Sequence, residues 1–267
     1  MTKLLQKPIL IKELSELHDF VQLSEMGLAS ALSEPDLLDA MESANKAMTK
    51  KLYGDDDLAE RKAKSQRRFE SAKFHRDSEF RYLYSLAIIK LWSILEATID
   101  EITIEALSRA DECDMEFLKT IRGPIFEILF ADEAGRIDFI VDEIKQKVKS
   151  SLKKGVDGLE AILETIKLSG TVDREIKKNL RELQQVRHSI VHRNGSADKR
   201  FVESVPWMGE LTNQSILINR TSFSKYSLSS LAYALELERR IYRRAQVDIP
   251  NELETSYEYV RQKIVKN

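Results

Sequence analysis

The chain has 267 residues, 42% of them hydrophobic and 32% charged, with a formal net charge of −2. There is enough apolar material for a sizeable core. The near-neutral balance gives no global pull toward nucleic acid, so any polyanion site has to be a local patch. Only nine Gly and five Pro interrupt the chain, which favours long helices with charged outer faces. The single cysteine, Cys113, excludes an intrachain disulfide and suits a reducing cytosol. No apolar run approaches the ~20 residues that span a bilayer. The longest apolar region, 82–104, is broken by Lys90, Glu96, Asp100 and Glu101, and no signal-peptide pattern opens the chain. A soluble cytoplasmic protein without a membrane partner is the expectation.

In chain order, Leu10, Leu14, Leu17 and Val21 recur at helical spacing. Ser33-Glu34-Pro35-Asp36 reads as a helix start, and the helix that follows carries Leu37, Leu38, Met41 and Met48 and should stop near Gly54. Asp55-Asp56-Asp57 begins the next helix, its carboxylates complementing the positive helix end. The basic body of that helix, 61–68, is either a solvated face or a source of phosphate contacts. A long helix is expected over about 77–108. Leu83, Leu86, Ala87, Lys90, Leu91, Ile94, Leu95, Thr98, Ile99 and Ile102 form its stripe and Trp92 lies at the edge, which makes it the candidate central helix. Asp111 to Asp114 and Gly123-Pro124 read as breaks, as does Ala134-Gly135. Ile137, Ile140, Val141, Ile144 and Val148 mark another amphipathic helix, and Leu159, Ile162, Leu163 and Ile166 a further one. Phe201-Val202 and the SILIN segment, 215–219, read as short strands of a small β-hairpin around Pro206-Trp207 and Gly209. A final long helix, capped by Ser224 or Ser227, runs to about Gln246 and stops before Pro250. Its arginines 239, 240, 243 and 244 read as a solvated helix end or an RNA track. The expected organisation is an N-terminal helical extension over 1–76, a helical domain over 77–247 and a C-terminal tail over 248–267.

The chemistry concentrates in RELQQVRHSIVHRNG, residues 181–195, the end of a helix that starts at Asp173, a good N-cap. Two of the four histidines lie here, His188 and His192. The stripe Ile176, Leu180, Leu183 continues through Arg187 to Ile190 and Val191. A guanidinium facing a core must be paired or must line a cleft. Gly195 suits a left-handed C-cap. Between 173 and 200, eight cations oppose four carboxylates, a local excess of +4 on an otherwise near-neutral chain. These residue types suit phosphodiester cleavage without a metal. A neutral-range imidazole, His192, takes the proton from a ribose 2′-OH or gives one to the leaving oxygen. Arg187 holds the scissile phosphate bidentately, and His188, one turn earlier on the same face, orients the second ring or contacts phosphate. Three plainer readings stay open. Arg187 can be half of a buried structural ion pair. His192 can simply interact with helix-end carbonyls. His188 and His192 can be an H-x-x-x-H metal pair, although no Cys or carboxylate completes a zinc set at a recognisable spacing.

Arg187-His188-Ser189-Ile190-Val191-His192 resembles the R-[N/D/H]-x-x-x-H motif of the HEPN superfamily. Val191-His192-Arg193-Asn194-Gly195 and the stretch Trp92-Ser93-Ile94-Leu95-Glu96-Ala97 also look like bacterial HEPN proteins. The resemblance covers about 77–247. It implies an all-α up-and-down bundle, with extra N-terminal helices here, and a homodimer whose two motif helices form one composite cleft. It further implies a metal-independent endoribonuclease, without cofactor, of the toxin–antitoxin or antiphage kind. The alternative is a non-catalytic HEPN module that binds nucleotide, RNA or a protein partner. Carried over by residue, Arg187 and His192 are the catalytic pair and His188 fills the polar position. Arg193, Asn194 and Arg181 are candidate substrate contacts, and Glu96 is a candidate support for the arginine. Asn194 stands where one subgroup has a tyrosine that its antitoxin modifies, so that mode of control is not expected. An antitoxin or sensor partner of another kind remains an expectation of the resemblance.

Overall fold

The computed structural model describes residues 9–47, 55–108, 131–150 and 154–266. The acidic break at 111–114, Cys113, Gly123-Pro124, Met48 and Gly54 lie outside them. The described residues are helical, and the fold class is all-α as expected. In chain order the helices are α1 (Ile9–Ala47), α2 (Asp55–Asp77), α3 (Arg81–Leu107), α4 (Glu133–Ser150), α5 (Val156–Thr165), α6 (Arg174–Arg193), the short α7 (Lys199–Ser204), a 3-10 turn (Pro206–Leu211), α8 (Arg220–Ala245) and α9 (Asn251–Lys266).

Helix α3 is the hub, packing against α1, α4, α5, α6 and α8. Its Tyr84, Ile88, Leu91, Trp92, Ile94, Leu95 and Ile99 are almost fully removed from solvent, and each aliphatic side chain so buried contributes about 1.5–3 kcal/mol. Trp92, expected at the edge of the stripe, is 1% exposed and lies inside the core, whereas Leu86 faces outward. By length and composition α3 is apolar enough to cross a membrane, the only such helix among the described residues. Half of its most apolar window is buried inside the protein, as in a core helix.

Several boundaries differ from the sequence reading: α8 is capped by Asn219, which accepts from the Ser222 amide at 3.1 Å, and not by Ser224 or Ser227, and α3 begins at Arg81 and not near Asp77. Ser33-Glu34-Pro35 does not start a helix. Helix α1 runs through Pro35 without a break, because the fixed φ of proline is helical and the missing N–H costs one ladder bond that the packed neighbours offset. Glu42 and Asp39 of α1 clasp Lys62 of α2, and Glu34 meets Arg68, so the two helices run antiparallel. The N-terminal extension packs onto the bundle, a point the sequence leaves open. Leu10, Leu14 and Val21 of α1 join the main core. Finally, 248–267 is no loose tail. Helix α8 stops at Ala245 with Gln246 as a left-handed cap, and Pro250 begins the next helix, its carbonyl accepting from the amides of Leu253 and Glu254. Leu253, Tyr257, Val260 and Ile264, at spacings of four, three and four, bury one face of α9, which packs against α8.

The expected β-hairpin does not form. Phe201 and Val202 lie in α7, and the SILIN segment contributes only an isolated antiparallel bridge, Ser196 to Ser215. The alternation that suggests a strand has another cause. Ile216 and Ile218 turn into the core while Leu217 points out, without a partner strand alongside. Amides of Ala197, Asn213 and Ile216 bond the carbonyls of Gln214, Ala197 and Gly195, closing the mouth of the 196–219 loop against the end of α6.

Candidate nucleic-acid-cleaving site on helix α6

The sequence dictates both ends of α6. Asp173 caps it as expected, its carboxylate accepting from the Glu175 amide at 3.0 Å, and the same carboxylate holds Arg261 of α9 at 3.1 Å. At the other end Asn194 takes the left-handed cap position with φ of 50°, and Gly195 follows at φ 75°. The cap is therefore one residue earlier than expected, on the second residue type that tolerates this geometry. Position 155 also needs glycine. A Cβ there, at φ 60°, would lie 2.8 Å from the Cα of Arg181, and the Gly155 amide donates to Gln184 Oε1 at 2.7 Å. This close approach locks α5 against the middle of α6.

The buried stripe of α6 is Ile176, Leu180, Leu183 and Val186, with the polar Asn179, Glu182 and Ser189 beside it. It passes through Val186, not Arg187, and Val191 is 47% exposed. At 100° per residue, either 186 or 187 continues a stripe from Leu183, so spacing alone does not choose between them. Arg187 thus sits at the margin of the core, half-buried. Its Nε is shielded from water and has no acceptor, and among the described residues nothing pairs with its guanidinium. A buried donor without a partner costs about 1–3 kcal/mol. His188 and His192 stand on the outer face, both exposed, with ring centroids 4.6 Å apart. Partial burial, then the neighbouring His192 and Arg187 charges, hold His188 below its ordinary value, while Asp198 pulls the other way. His188 is therefore neutral at pH 7.

The remaining candidates fall into three groups. Arg193 and Asn194 are exposed at the helix end next to the imidazoles, and Arg193 Nε pairs with Asp198 at 3.4 Å. Arg181 lies two turns earlier on the same outer face as His188. It lines an open cleft with Lys154, Asp157 and Glu164, and its Nε is again buried without an acceptor. Glu96 is not brought to Arg187. It is exposed on α3, where Leu95 and Ile99 turn inward and Glu96 and Ala97 outward, and among the described residues no bond joins it to the arginine. Among those residues, no group of three His, Cys, Asp or Glu side chains is arranged to hold a metal ion.

Two residues that matter here carry only faint sequence signals. Asp198 caps α7 through the Phe201 amide and thereby stands near His188; its signature is an aspartate three residues before a buried phenylalanine, just after a glycine turn. Glu182, 3% exposed, accepts from Trp207 Nε1 at 2.5 Å, from Lys225 and from Tyr226. It ties the 196–219 loop and α8 to the motif helix. Of the arginines at the end of α8, Arg243 is exposed and pairs with Glu236, as a solvated helix end would, whereas the other three are drawn into the fold. Arg240 is 7% exposed between Glu160 and Glu236, Arg239 meets Glu236 and Glu254, and Arg244 donates to the Ile166 carbonyl.

The chain matches no family model, no curated protein and no solved structure in these comparisons.

Proposed function

We propose that this protein is a metal-independent endoribonuclease whose site is Arg187, His188 and His192 of α6. One observation carries the reading. A half-buried guanidinium with no partner among the described residues sits next to two exposed imidazoles, on a segment with a local excess of positive charge. A guanidinium left unsatisfied by its own chain is ready for an external anion, and a phosphate oxygen pair matches its fork. In the reaction, one imidazole removes the 2′-OH proton and the 2′ oxygen attacks phosphorus. The bond from phosphorus to the 5′ oxygen breaks, and a protonated imidazole returns a proton to that oxygen. The products are a 2′,3′-cyclic phosphate and a 5′-OH end. Arg187 neutralises the charge that builds on the phosphoryl oxygens. His192 is the better placed of the two rings to act on substrate, being in the last turn, and neutral His188 accepts or relays its proton.

The HEPN resemblance supports a homodimer in which a second copy covers Val191 and places two such sets in one cleft. In this reading the protein acts in the cytoplasm as a toxin or antiphage effector, released by an antitoxin or a sensor.

The test is incubation of the purified protein with total RNA in EDTA, beside His192→Ala. The expected result is fragments ending in 2′,3′-cyclic phosphate from the parent alone, with a loss of about 10²–10⁴-fold in the variant. Cleavage retained by a folded His192→Ala sinks the assignment. RNA or nucleotide bound tightly but left uncut by the parent favours the non-catalytic module.

A further inference from the structure

The elbow between α2 and α3 is the strained segment that lies against the end of the motif helix. Glu79 and Phe80 both adopt the left-handed backbone, at φ 52° and 55°, a conformation that costs residues other than glycine roughly 1–2 kcal/mol each. The surroundings hold it in place. The amides of Glu79 and Phe80 bond the carbonyls of Arg76 and His75 at 2.9 and 2.7 Å, Glu79 accepts from Asn219 at 3.3 Å, and the Phe80 ring packs on the core.

That bend aims Arg81 at the functional end of α6. Its Nη2 donates to Ser215 Oγ at 2.5 Å, and a Cβ on Gly195 would lie 3.0 Å from the same nitrogen. Gly195 is three residues beyond His192. On its outer side the elbow presents Phe74, 70% exposed, and Tyr82, 65% exposed, with His75 between them at ring-centroid distances of 5.6 and 6.3 Å. Large rings held this openly bury little of their surface within their own chain.

We infer that the α2–α3 elbow is a stacking platform for single-stranded RNA: Tyr82 and Phe74 receive unpaired bases of the strand leaving the α6 site, and Arg81 holds the phosphate between. The position of the cut in that strand rests on the ribonuclease reading above; the binding itself does not. The combination favours a nucleic acid over a protein face. An apolar protein surface would complement the rings but would bury the Arg81 charge, whereas a nucleotide supplies a π-face and an anion together. Around the elbow Lys73, Arg76 and Arg81 oppose Asp77 and Glu79, of which Asp77 is paired with Arg76 and Glu79 accepts from Asn219, so a net positive charge is left beside the rings.

The experiment uses the full chain carrying His192→Ala, so that RNA is bound and not cut. A fluorescein-labelled single-stranded oligoribonucleotide is titrated and its polarisation read, with sedimentation velocity alongside. Tyr82→Ala in this background is expected to weaken binding about 10-fold or more, and Tyr82→Phe to leave it within about 2-fold, since the ring and not the hydroxyl is used. Both should sediment as the parent does. An unchanged Kd in Tyr82→Ala, a changed oligomeric state with unchanged RNA affinity, or no binding by the His192→Ala protein each overturns the platform. The two readings separate cleanly. Normal cleavage and affinity in Tyr82→Ala remove the platform and leave the ribonuclease standing. Tyr82-dependent binding by a parent that cuts no RNA supports the platform and removes the ribonuclease.

Discussion

Arg240 and Arg187 both sit where a helix meets the core, and the chain treats them in opposite ways. Arg240 is enclosed by acceptors. Its Nη1 reaches both oxygens of Glu160 at 2.8 and 3.0 Å, its Nε reaches Glu236 at 3.2 Å, and its Nη2 reaches the Thr171 carbonyl at 3.2 Å. Glu160 is completed in turn by Tyr233 and the Gly170 amide. Gly170 has to be glycine for this, because a Cβ there would lie 2.8 Å from the guanidinium. Arg187 has none of this: among the described residues no acceptor meets its guanidinium, and the neighbouring His188 and His192 are exposed. An orphaned Nε alone does not make the difference, for Arg239 also has one, but its other nitrogens meet Glu236 and Glu254. A saturated arginine holds the fold together. An arginine whose whole fork is left over is one the fold pays for and a ligand can use.

The sharpest way to break this comparison is to remove the saturated arginine. Arg240→Leu leaves the largely enclosed Glu160 with Tyr233 and one amide for company, and breaking a buried pair from one side costs about 3–5 kcal/mol, the lower end applying to a partly exposed partner. The thermal midpoint should fall by ~10 °C. Replacing Glu160 by Gln in the same chain should recover part of the loss, because the uncompensated charge is then gone. A single variant that melts with the parent would mean that Arg240 is as dispensable as an exposed cation, and the contrast would collapse.

The second prediction inverts the first. Arg187→Ala removes a guanidinium with no partner among the described residues, so the unfolding free energy should stay within about 1 kcal/mol of the parent or rise. Cleavage, if the proposed site is correct, should fall about 10²–10³-fold, the usual cost of removing a preorganised donor to a developing oxyanion. Arg187→Lys should recover little, since an ammonium keeps the charge but not the planar fork. A large loss of stability in Arg187→Ala would return this residue to the structural class of Arg240.

How far the sequence discloses this contrast depends on the kind of signal. The helix carrying Arg187 is legible because its cap, its stripe and its end are all local: Asp173, Ile176 to Leu183, and the Asn194-Gly195 turn. The central role of α3 is legible for the same reason. The rotation of Arg187 is not. A stripe stepping by three or four admits 186 and 187 equally, and only the packing of α3 and α8 around α6 selects Val186. The Arg240 network is invisible along the chain, since Glu160 is eighty residues away. The hairpin misreading of SILIN has a physical source, because a two-residue alternation arises whenever a closed loop tucks alternate side chains inward. The α9 helix, by contrast, was there to be read in Leu253, Tyr257, Val260 and Ile264, and Pro250 masked it by looking only like an ending.

The smallest expected effect is a pH dependence that tests whether the α6 cluster is arranged against its own charge. His188 is held below 6.5 by partial burial and by the neighbouring His192 and Arg187 charges. Its folded value therefore lies below its unfolded one. Above pH 6.5 the ring is neutral in both states and contributes nothing to the difference. As pH falls below 6.5 the unfolded chain takes up the proton first, so the folded state loses stability, until the folded ring protonates as well. Thermal midpoints measured between about pH 7 and pH 5 should thus decline more steeply for the parent than for His188→Gln, with the two converging near neutrality. The ring is exposed, so the divergence should be well below that of Arg240→Leu. Asp198 opposes the shift, and Asp198→Asn should therefore enlarge it. Parallel melting curves for parent and His188→Gln would mean that Arg187 and His192 exert no net push on His188. The cluster would then lack the like-charge crowding that sets it apart from the paired arginine on α8.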